Sequence, residues 1–147
     1  MRTQPGDNEE VRRLFAEYVP QVASGVIEIK GIVRERGQRT IVSVHSTDNS
    51  VDPVGSCVGE QGSRVKSIIQ RLSGEKIDIV RWSDSLETFI RNLLLPTRPE
   101  RIVLDVVAQR ATIYAARDQR SLIIGRHGAR LEMMSQLAGL KLEIVDT

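Results

Sequence analysis

The stretch Val58-Gly59-Glu60-Gln61-Gly62-Ser63-Arg64-Val65 has a counterpart 66 residues later, Ile124-Gly125-Arg126-His127-Gly128-Ala129-Arg130-Leu131. In both, a G-x-x-G pair follows an apolar residue and precedes a small residue, an arginine and a branched apolar residue. Each then enters a segment of helical spacing, meets another glycine and ends in a similar strand, 76–80 or 141–145. A lone glycine pair is a weak signal, but flanks that match over about twenty positions are not. The repeat predicts one structural unit used twice.

The spacing of apolar residues predicts the same element order in both halves: helix, strand, strand, helix, loop, helix, strand. In the first half we predict a helix at 11–18, strands at 27–33 and 42–44, a short helix capped by Asp52 before Pro53, a helix at 65–72 and a strand at 77–79. In the second half we predict a helix at 86–93 with a capping box of Asp84 and Glu87, strands at 102–107 and 112–116, helices at 118–124 and 129–137, and a strand at 140–145. This pattern indicates an α+β fold in each unit.

The chain of 147 residues suits either one ordinary domain or two very small ones. We predict a first domain over residues 9–82, a second over 83–147, and a disordered N-terminus over 1–8, where no periodic pattern occurs. The junction near Trp82-Ser83 is short and has no Gly/Ser linker, so we expect the two domains to be rigidly joined.

The composition excludes several classes of protein. Hydrophobic residues make up 40% of the chain and aromatic residues only 3%, so the core must be aliphatic. No apolar run approaches the ~18 residues of a membrane span, and the opening residues contain no signal-peptide core. The single cysteine, Cys57, excludes an internal disulfide, and we predict no metal site and no cofactor. We expect a soluble, cytoplasmic monomer that does not contact membranes.

The distribution of charge favours an anionic ligand near the second repeat. The net charge is only +2, and residues 98–147 carry the whole excess. Seventeen of the 21 basic residues are arginine, whose planar fork of donors suits phosphate groups.

A G-x-x-G turn between two helices can bind a nucleic-acid backbone. Glycine leaves no Cβ between the chain and a ligand, and the following helix offers N–H groups and the positive end of its dipole to a phosphate. In KH modules such a loop clamps about four nucleotides while the bases lie in an adjacent apolar groove. We therefore predict RNA-binding residues in and beside both loops: Gly59, Glu60, Gln61, Gly62, Ser63, Arg64, Lys66, Gly125, Arg126, His127, Gly128, Ala129 and Arg130. A single strand crossing both loops would span roughly eight nucleotides.

Several motifs of the first unit resemble the first KH domain of the NusA family of transcription factors: 44–46, 51–55, 57–59, 62–65, 74–80 and Trp82-Ser83. Asp118, Gln119, Leu122, 124–126 and Gly128 are similar to the second KH domain of that family. The resemblance covers nearly the whole chain from residue 11. It implies two tandem type II KH domains, each αββααβ, with a three-stranded mixed sheet and helices packed on one face. It also implies a single-stranded RNA-binding protein of transcription elongation, termination or antitermination, with RNA polymerase and other transcription factors as partners.

The two loops depart from the family in different ways. The family's first loop usually contains a lysine or arginine, whereas this chain has Glu60 and Gln61, so the first clamp should be weaker unless Arg64 or Lys66 compensates. The second loop is the more cationic one through Arg126, His127 and Arg130.

Enzymatic interpretations find little support in the sequence. His45 has no acid to orient it, Cys57 has the pattern of a small buried thiol, and Met133 and Met134 suit packing rather than a cofactor. Two non-catalytic alternatives to a transcription factor remain. One is a KH-type RNA-binding factor of ribosome assembly or translation. The other is a protein-docking module with a weakened first RNA site, which Glu60 makes conceivable.

Overall fold

A computed structural model describes residues 7–147. The chain divides into two compact units, the first ending at Trp82 and the second beginning at Ser83. Residues 1–6 of the expected disordered segment lie outside the described residues. Asp7 and Asn8 belong to the first helix, so the expectation of disorder does not hold for these two positions.

The described part of the first unit, from residue 7 onward, contains four α-helices and a mixed sheet. Its elements are α1 Asp7–Tyr18, α2 Pro20–Ala23, β1 Ile27–Glu35, β2 Arg39–Ser46, α3 Pro53–Val58, α4 Ser63–Arg71 and β3 Lys76–Arg81. The strand order is β1-β2-β3, with β1 antiparallel and β3 parallel to the central strand β2. The parallel pair requires a crossover, and α3, the first glycine loop and α4 supply it.

The second unit repeats this topology. Its elements are α5 Leu86–Leu94, β4 Arg101–Asp105, β5 Arg110–Ala115, α6 Arg117–Ile124, α7 Ala129–Ala138 and β6 Lys141–Asp146. The order is β4-β5-β6, antiparallel and then parallel, and the second glycine loop lies in the crossover between β5 and β6. The predicted α+β class, with a three-stranded mixed sheet in each unit, is confirmed.

Aliphatic side chains form both cores, as the composition requires. In the first unit the buried stripe of α1 and Ile68 of α4 pack against the sheet face that carries Val42 and Val44. In the second unit the buried side chains come from both helices and strands, among them Phe89, Ile90, Ile113, Ile123, Met133 and Met134. The two methionines are therefore core residues. This packing holds the helices that flank each glycine loop.

Three local details differ from the predictions. The capping box of Asp84 and Glu87 is wrong: α5 begins at Leu86 as predicted, but its N-cap is Ser85, whose Oγ accepts a hydrogen bond from the Thr88 N–H at 3.4 Å. Asp52 occupies the N-cap position before Pro53, but its side chain makes no capping hydrogen bond.

Strand β4 ends two residues earlier than predicted. The Asp105 carboxylate accepts a hydrogen bond from the Ala108 N–H at 3.0 Å, an Asp-initiated turn that competes with continuation of the strand. Val106 and Val107 therefore lie in the turn and are 73% and 97% exposed.

A buried ion pair joins three parts of the first unit. Arg34 of β1 donates to both carboxylate oxygens of Glu75, at 2.9 and 3.2 Å, and to Glu10 of α1 at 2.9 Å. Glu75 also accepts from the Thr40 hydroxyl and from the Gly37 N–H. Burial alone would raise the pKa of Glu75, but the hydrogen bonds from Arg34, Thr40 and Gly37 outweigh it and lower the pKa below its usual value. The pair fixes the start of β3 against the β1–β2 hairpin and α1.

Candidate nucleic-acid interface

The glycines of the two loops have the same backbone geometry. Gly59 has φ 79° and ψ 170°, and Gly125 has φ 75° and ψ −179°, a region that essentially only glycine populates. Gly62 and Gly128 are both left-handed, with φ 75° and 73°. In each loop the N–H of the second glycine donates to the carbonyl of the first, at 3.0 and 3.3 Å. The sequence repeat is therefore a repeat of structure at the level of single dihedral angles.

The residue before the second glycine is also left-handed in both loops. Gln61 has φ 55° and ψ 28°, and His127 has φ 55° and ψ 27°. This conformation costs an L-residue about 1–2 kcal/mol. Non-glycine residues held in sparsely populated backbone regions concentrate at functional sites. The same unfavourable conformation at equivalent positions of two loops therefore marks both as candidate sites.

An arginine just beyond each loop pins the loop to the helix before it. Arg64 donates from one guanidinium nitrogen to the Ser56 carbonyl at 2.7 Å and to Gln21 Oε1 at 3.2 Å. Ser56 lies near the C-terminal end of α3, where helix carbonyls lack an intrahelical partner.

Arg130 makes the equivalent contact in the second unit. It donates to the Leu122 carbonyl of α6 at 2.7 Å, and Leu122 is the residue 66 positions after Ser56. Its other terminal nitrogen reaches the carbonyls of Leu93 and Leu95 at 3.5 and 3.4 Å. Each arginine thus bonds a carbonyl three residues before its glycine pair.

These contacts give two predicted site residues a role within the protein. The guanidiniums of Arg64 and Arg130 hydrogen-bond protein carbonyls, so both arginines position the loops, and their contact with RNA stays a prediction. The sequence contained a signal for this role, because the arginine occurs at the same distance from both glycine pairs whereas the residues inside the loops differ. A residue shared by both repeats indicates framework.

The positions of the two arginines also explain why the first residue of each pair must be glycine. A Cβ on Gly59 would lie 2.7 Å from Arg64 Cγ and 2.9 Å from its Cβ, and one on Gly125 would lie 2.6 Å from Arg130 Cβ. The side chain that pins the loop crosses directly over this glycine, so no larger residue fits.

The loop tips face solvent. Glu60 and Gln61 are exposed in the first loop, and Arg126 and His127 are exposed in the second. Lys66, on the first turn of α4, donates to the Gln61 carbonyl at 3.2 Å, which holds its ammonium beside the first loop. The second loop therefore presents two basic side chains on the loop itself, whereas the first presents an acid with a neighbouring lysine.

Some of the backbone N–H groups that we expected to bind a phosphate instead donate hydrogen bonds to carbonyls within the loops. The N–H groups of Ser63 and Ala129 donate to the carbonyls of Glu60 and Arg126. Together with the glycine contacts described above, these bonds engage two N–H groups in each loop. Binding of an anion at either tip would therefore depend mainly on cationic side chains, and less on free N–H groups at the helix N-terminus.

A groove of about 510 Å³ opens beside the second loop, between α7 and β6. Leu131, Leu140 and Leu142 supply its apolar surface, and Gly128, Glu132, Ser135, Gln136 and Lys141 complete its lining. The Ser135 hydroxyl donates to the Leu131 carbonyl at 2.9 Å and accepts from the Leu142 N–H at 3.1 Å, which ties the helix to the strand. The groove joins an apolar surface to a cationic loop, the combination that a base and its phosphate require.

Cys57 and His45, the two residues considered for an enzymatic role, both pack against other residues of the protein. Cys57 is fully buried, and burial raises the pKa of its thiol to about 11, so it is a poor nucleophile at neutral pH. His45 lies on β2 with its ring edge-on to Trp82, 5.1 Å between centroids. Within residues 7–147, no three His, Cys, Asp or Glu side chains are grouped so that they could hold a metal ion. None of the described helices is long and apolar enough to span a membrane.

The geometry of the second loop gives a matched pair of substitutions. Gly125→Ala places a Cβ against Arg130 in a backbone region reserved for glycine, so we expect it to destabilise the second unit by about 2–3 kcal/mol. Gly128→Ala, three residues later, meets no atom within 4 Å and should cost only about 1 kcal/mol. Urea unfolding of both variants measures the difference. Equal losses would show that Arg130 does not constrain the loop.

The repeated αββααβ topology, with a G-x-x-G turn between the two crossover helices of each unit, defines a tandem pair of KH domains. The chain belongs to the NusA-like KH family: residues 6–82 match the NusA-like first KH domain and residues 86–147 match the NusA-like second KH domain.

Curated relatives agree with this membership. The chain is 40% identical over 143 residues to the transcription termination/antitermination protein NusA of Bacillus subtilis, and this match covers 97% of the chain and 38% of that protein. It is 38% identical over 142 residues to NusA of Rickettsia prowazekii, covering 95% of the chain and 28% of that protein. The chain thus spans about a third of the length of these relatives. The crystal structure of APE1850 shares the fold, with a TM-score of 0.67, 20% identity, and coverage of 97% of this chain and 100% of that one.

Proposed function

We propose that this chain binds single-stranded RNA and acts in transcription elongation, termination or antitermination. The observation that carries the proposal is the pair of glycine loops with one shared geometry, set in the two KH domains of a NusA-like chain. The names of the curated relatives supply the process, transcription termination and antitermination. The proposed activity is binding and involves no catalysis.

The second loop is the stronger proposed RNA contact. Arg126 and His127 are exposed at its tip, and arginine binds a phosphate through two parallel hydrogen bonds. The apolar groove next to Gly128 then receives an unstacked base from the same strand. The N-terminus of α7 adds the positive end of a helix dipole.

The first loop is the weaker proposed contact. Glu60 repels a phosphate, and the guanidinium of Arg64 is engaged by the Ser56 carbonyl. Lys66 is the cation that the structure holds beside this loop, through its bond to the Gln61 carbonyl. We therefore assign the first loop a backbone contact that depends on Lys66.

Titration of the chain with labelled RNA tests the proposal. Unstructured oligonucleotides of 4, 8 and 12 residues are compared by fluorescence anisotropy with a hairpin of the same composition. Because each KH loop engages about four nucleotides, affinity should rise between the 4-mer and the 8-mer and change little afterwards. The hairpin should bind more weakly, because its bases are paired. Equal affinity for hairpin and single strand, or no binding of any RNA, would contradict the proposal.

The process is tested separately from the binding. Co-purification of the chain from its native host with RNA polymerase supports a transcription role and a direct polymerase contact. Co-purification with ribosomal subunits instead would favour the ribosome-assembly alternative. The comparisons favour transcription, because both family models describe NusA-like KH domains and the curated relatives above are NusA proteins.

A further inference from the structure

We propose that Glu132 makes the groove of the second unit selective for bases that present N–H donors, guanine above all, and disfavours uracil. This inference rests on the proposed function, because a base reaches the groove only if the second loop holds an RNA strand. It adds to that function a residue that determines specificity.

The position of Glu132 is the first observation. It is the fourth residue of α7, it is exposed, and it lines the groove together with Leu131, Gln136 and Leu140. Its side chain therefore borders the apolar surface that would hold the flat face of a base, one helical turn from Gly128, and Lys141 lines the same groove from β6.

The second observation is an exchange of charge between the two repeats. Lys66 of the first unit corresponds to Glu132 of the second, 66 residues later, and Glu60 corresponds in the same way to Arg126. The first unit thus has an acidic residue in the loop and a basic residue on the helix. The second unit has a basic residue in the loop and an acidic residue on the helix. In a surface that bound only phosphate, the acid of the second unit would weaken binding. A carboxylate at the groove and a cation at the loop instead suit the two ends of one nucleotide.

The chemistry of a carboxylate defines the preferred base. An ionised carboxylate only accepts hydrogen bonds and offers about four lone-pair sites, so an intramolecular partner leaves Glu132 with acceptor capacity. Guanine presents two adjacent donors, N1–H and N2–H, to such a group, and cytosine and adenine each present one amino group. Uracil presents a single N3–H between two carbonyl oxygens, which the carboxylate repels. Bidentate bonds to an ionised acceptor are the strong ones.

A structural role for Glu132 makes a different prediction. An acid in the first turn of a helix favours the helix dipole, whatever ligand is bound. That role predicts that loss of the charge changes thermal stability while leaving the order of base preference unaltered.

The test compares Glu132→Gln with the unaltered chain on two 8-residue RNAs, all-uridine and alternating guanosine–uridine. We expect the unaltered chain to bind the guanosine-containing RNA at least about tenfold more tightly, the size of one good bidentate contact. In Glu132→Gln the preference should fall below about threefold, and affinity for the all-uridine RNA should stay equal or rise. Glu100→Gln, which removes the same charge from an exposed position of the second unit outside the groove lining, should keep the preference.

The outcomes separate the two proposals. A preference that is absent in the unaltered chain, or unchanged in Glu132→Gln, overturns the specificity role while RNA binding stands. An altered melting temperature with an unchanged preference shows that Glu132 stabilises the helix terminus, and it also overturns the specificity role. If neither RNA binds, the proposed function fails, and the inference fails with it.

Discussion

Replacing Arg126 and His127 together by aspartate is expected to lower the affinity for unstructured RNA by about 100-fold or more, which corresponds to about 2.7 kcal/mol. Both side chains are exposed at the tip of the second loop, and the substitution puts two carboxylates where phosphates would bind. The loop should keep its shape, because Arg130 and the two glycines set it. Fluorescence anisotropy at constant salt measures the affinity, and circular dichroism verifies the fold.

Two further measurements test whether the loss of affinity is specific to the second loop. Arg13→Asp inverts the charge of an exposed arginine on α1, and it should change affinity only slightly. The salt dependence of binding should also become shallower in the double variant, by about 0.7 in the slope of log K against log salt for each phosphate that the variant no longer binds. If the double variant binds RNA as tightly as the unaltered chain, the second loop is not the RNA site.

Replacing Glu75 by alanine is expected to destabilise the first unit by about 3–5 kcal/mol. The substitution leaves the Arg34 guanidinium, 4% exposed, without its main partner, and breaking a buried pair on one side has this typical cost. Because small domains are stable by only about 5–15 kcal/mol, a large part of the native state would be lost. Urea unfolding followed through Trp82, the single tryptophan and part of the first unit, measures the effect. Glu17→Gln, which removes an exposed pair with Arg71 in the same unit, should leave the stability nearly unchanged.

The same pair predicts a pH dependence. The pKa of Glu75 is lowered on folding from its ordinary value of 4.5, so the ionised form stabilises the native state. Its contribution is complete above pH 4.5 and is lost as the pH falls through the lower pKa of the folded state. The difference in unfolding free energy between the unaltered chain and Glu75→Ala should therefore shrink as the pH is lowered below 4.5. A difference that stays constant down to pH 2 would contradict this role for Glu75.

The parts of the structure that repeat could be predicted from sequence. Local periodicity determines which face of a helix or strand is buried, and the two halves carry the same periodicity, so the order of elements follows. The glycine pairs also mark the loops, because a G-x-x-G turn at a helix junction restricts the residues that fit. Even the placement of Cys57 in the core follows from its apolar neighbours on a short helix.

The parts that depend on long-range contacts could not be predicted. The repeat marks Arg130 as a residue shared by both units, but nothing in the sequence shows that its partner is the Leu122 carbonyl. The network around Glu75 contains hydrogen bonds between residues up to 41 positions apart, so no short motif reveals it. The end of β4 also escapes prediction, because Val106 and Val107 favour a strand while the Asp105 turn opposes it.

The backbone amides of the two loops provide the most direct test of RNA binding at both sites. An isotope-labelled sample titrated with a 12-residue unstructured RNA would report residues 59–63 and 125–129 separately by NMR. We predict that amide signals of both loops shift, that those of the second loop saturate at lower RNA concentration, and that core amides such as Ile113 stay in place. Shifts confined to surfaces away from both loops would contradict the claim that the glycine turns hold the strand.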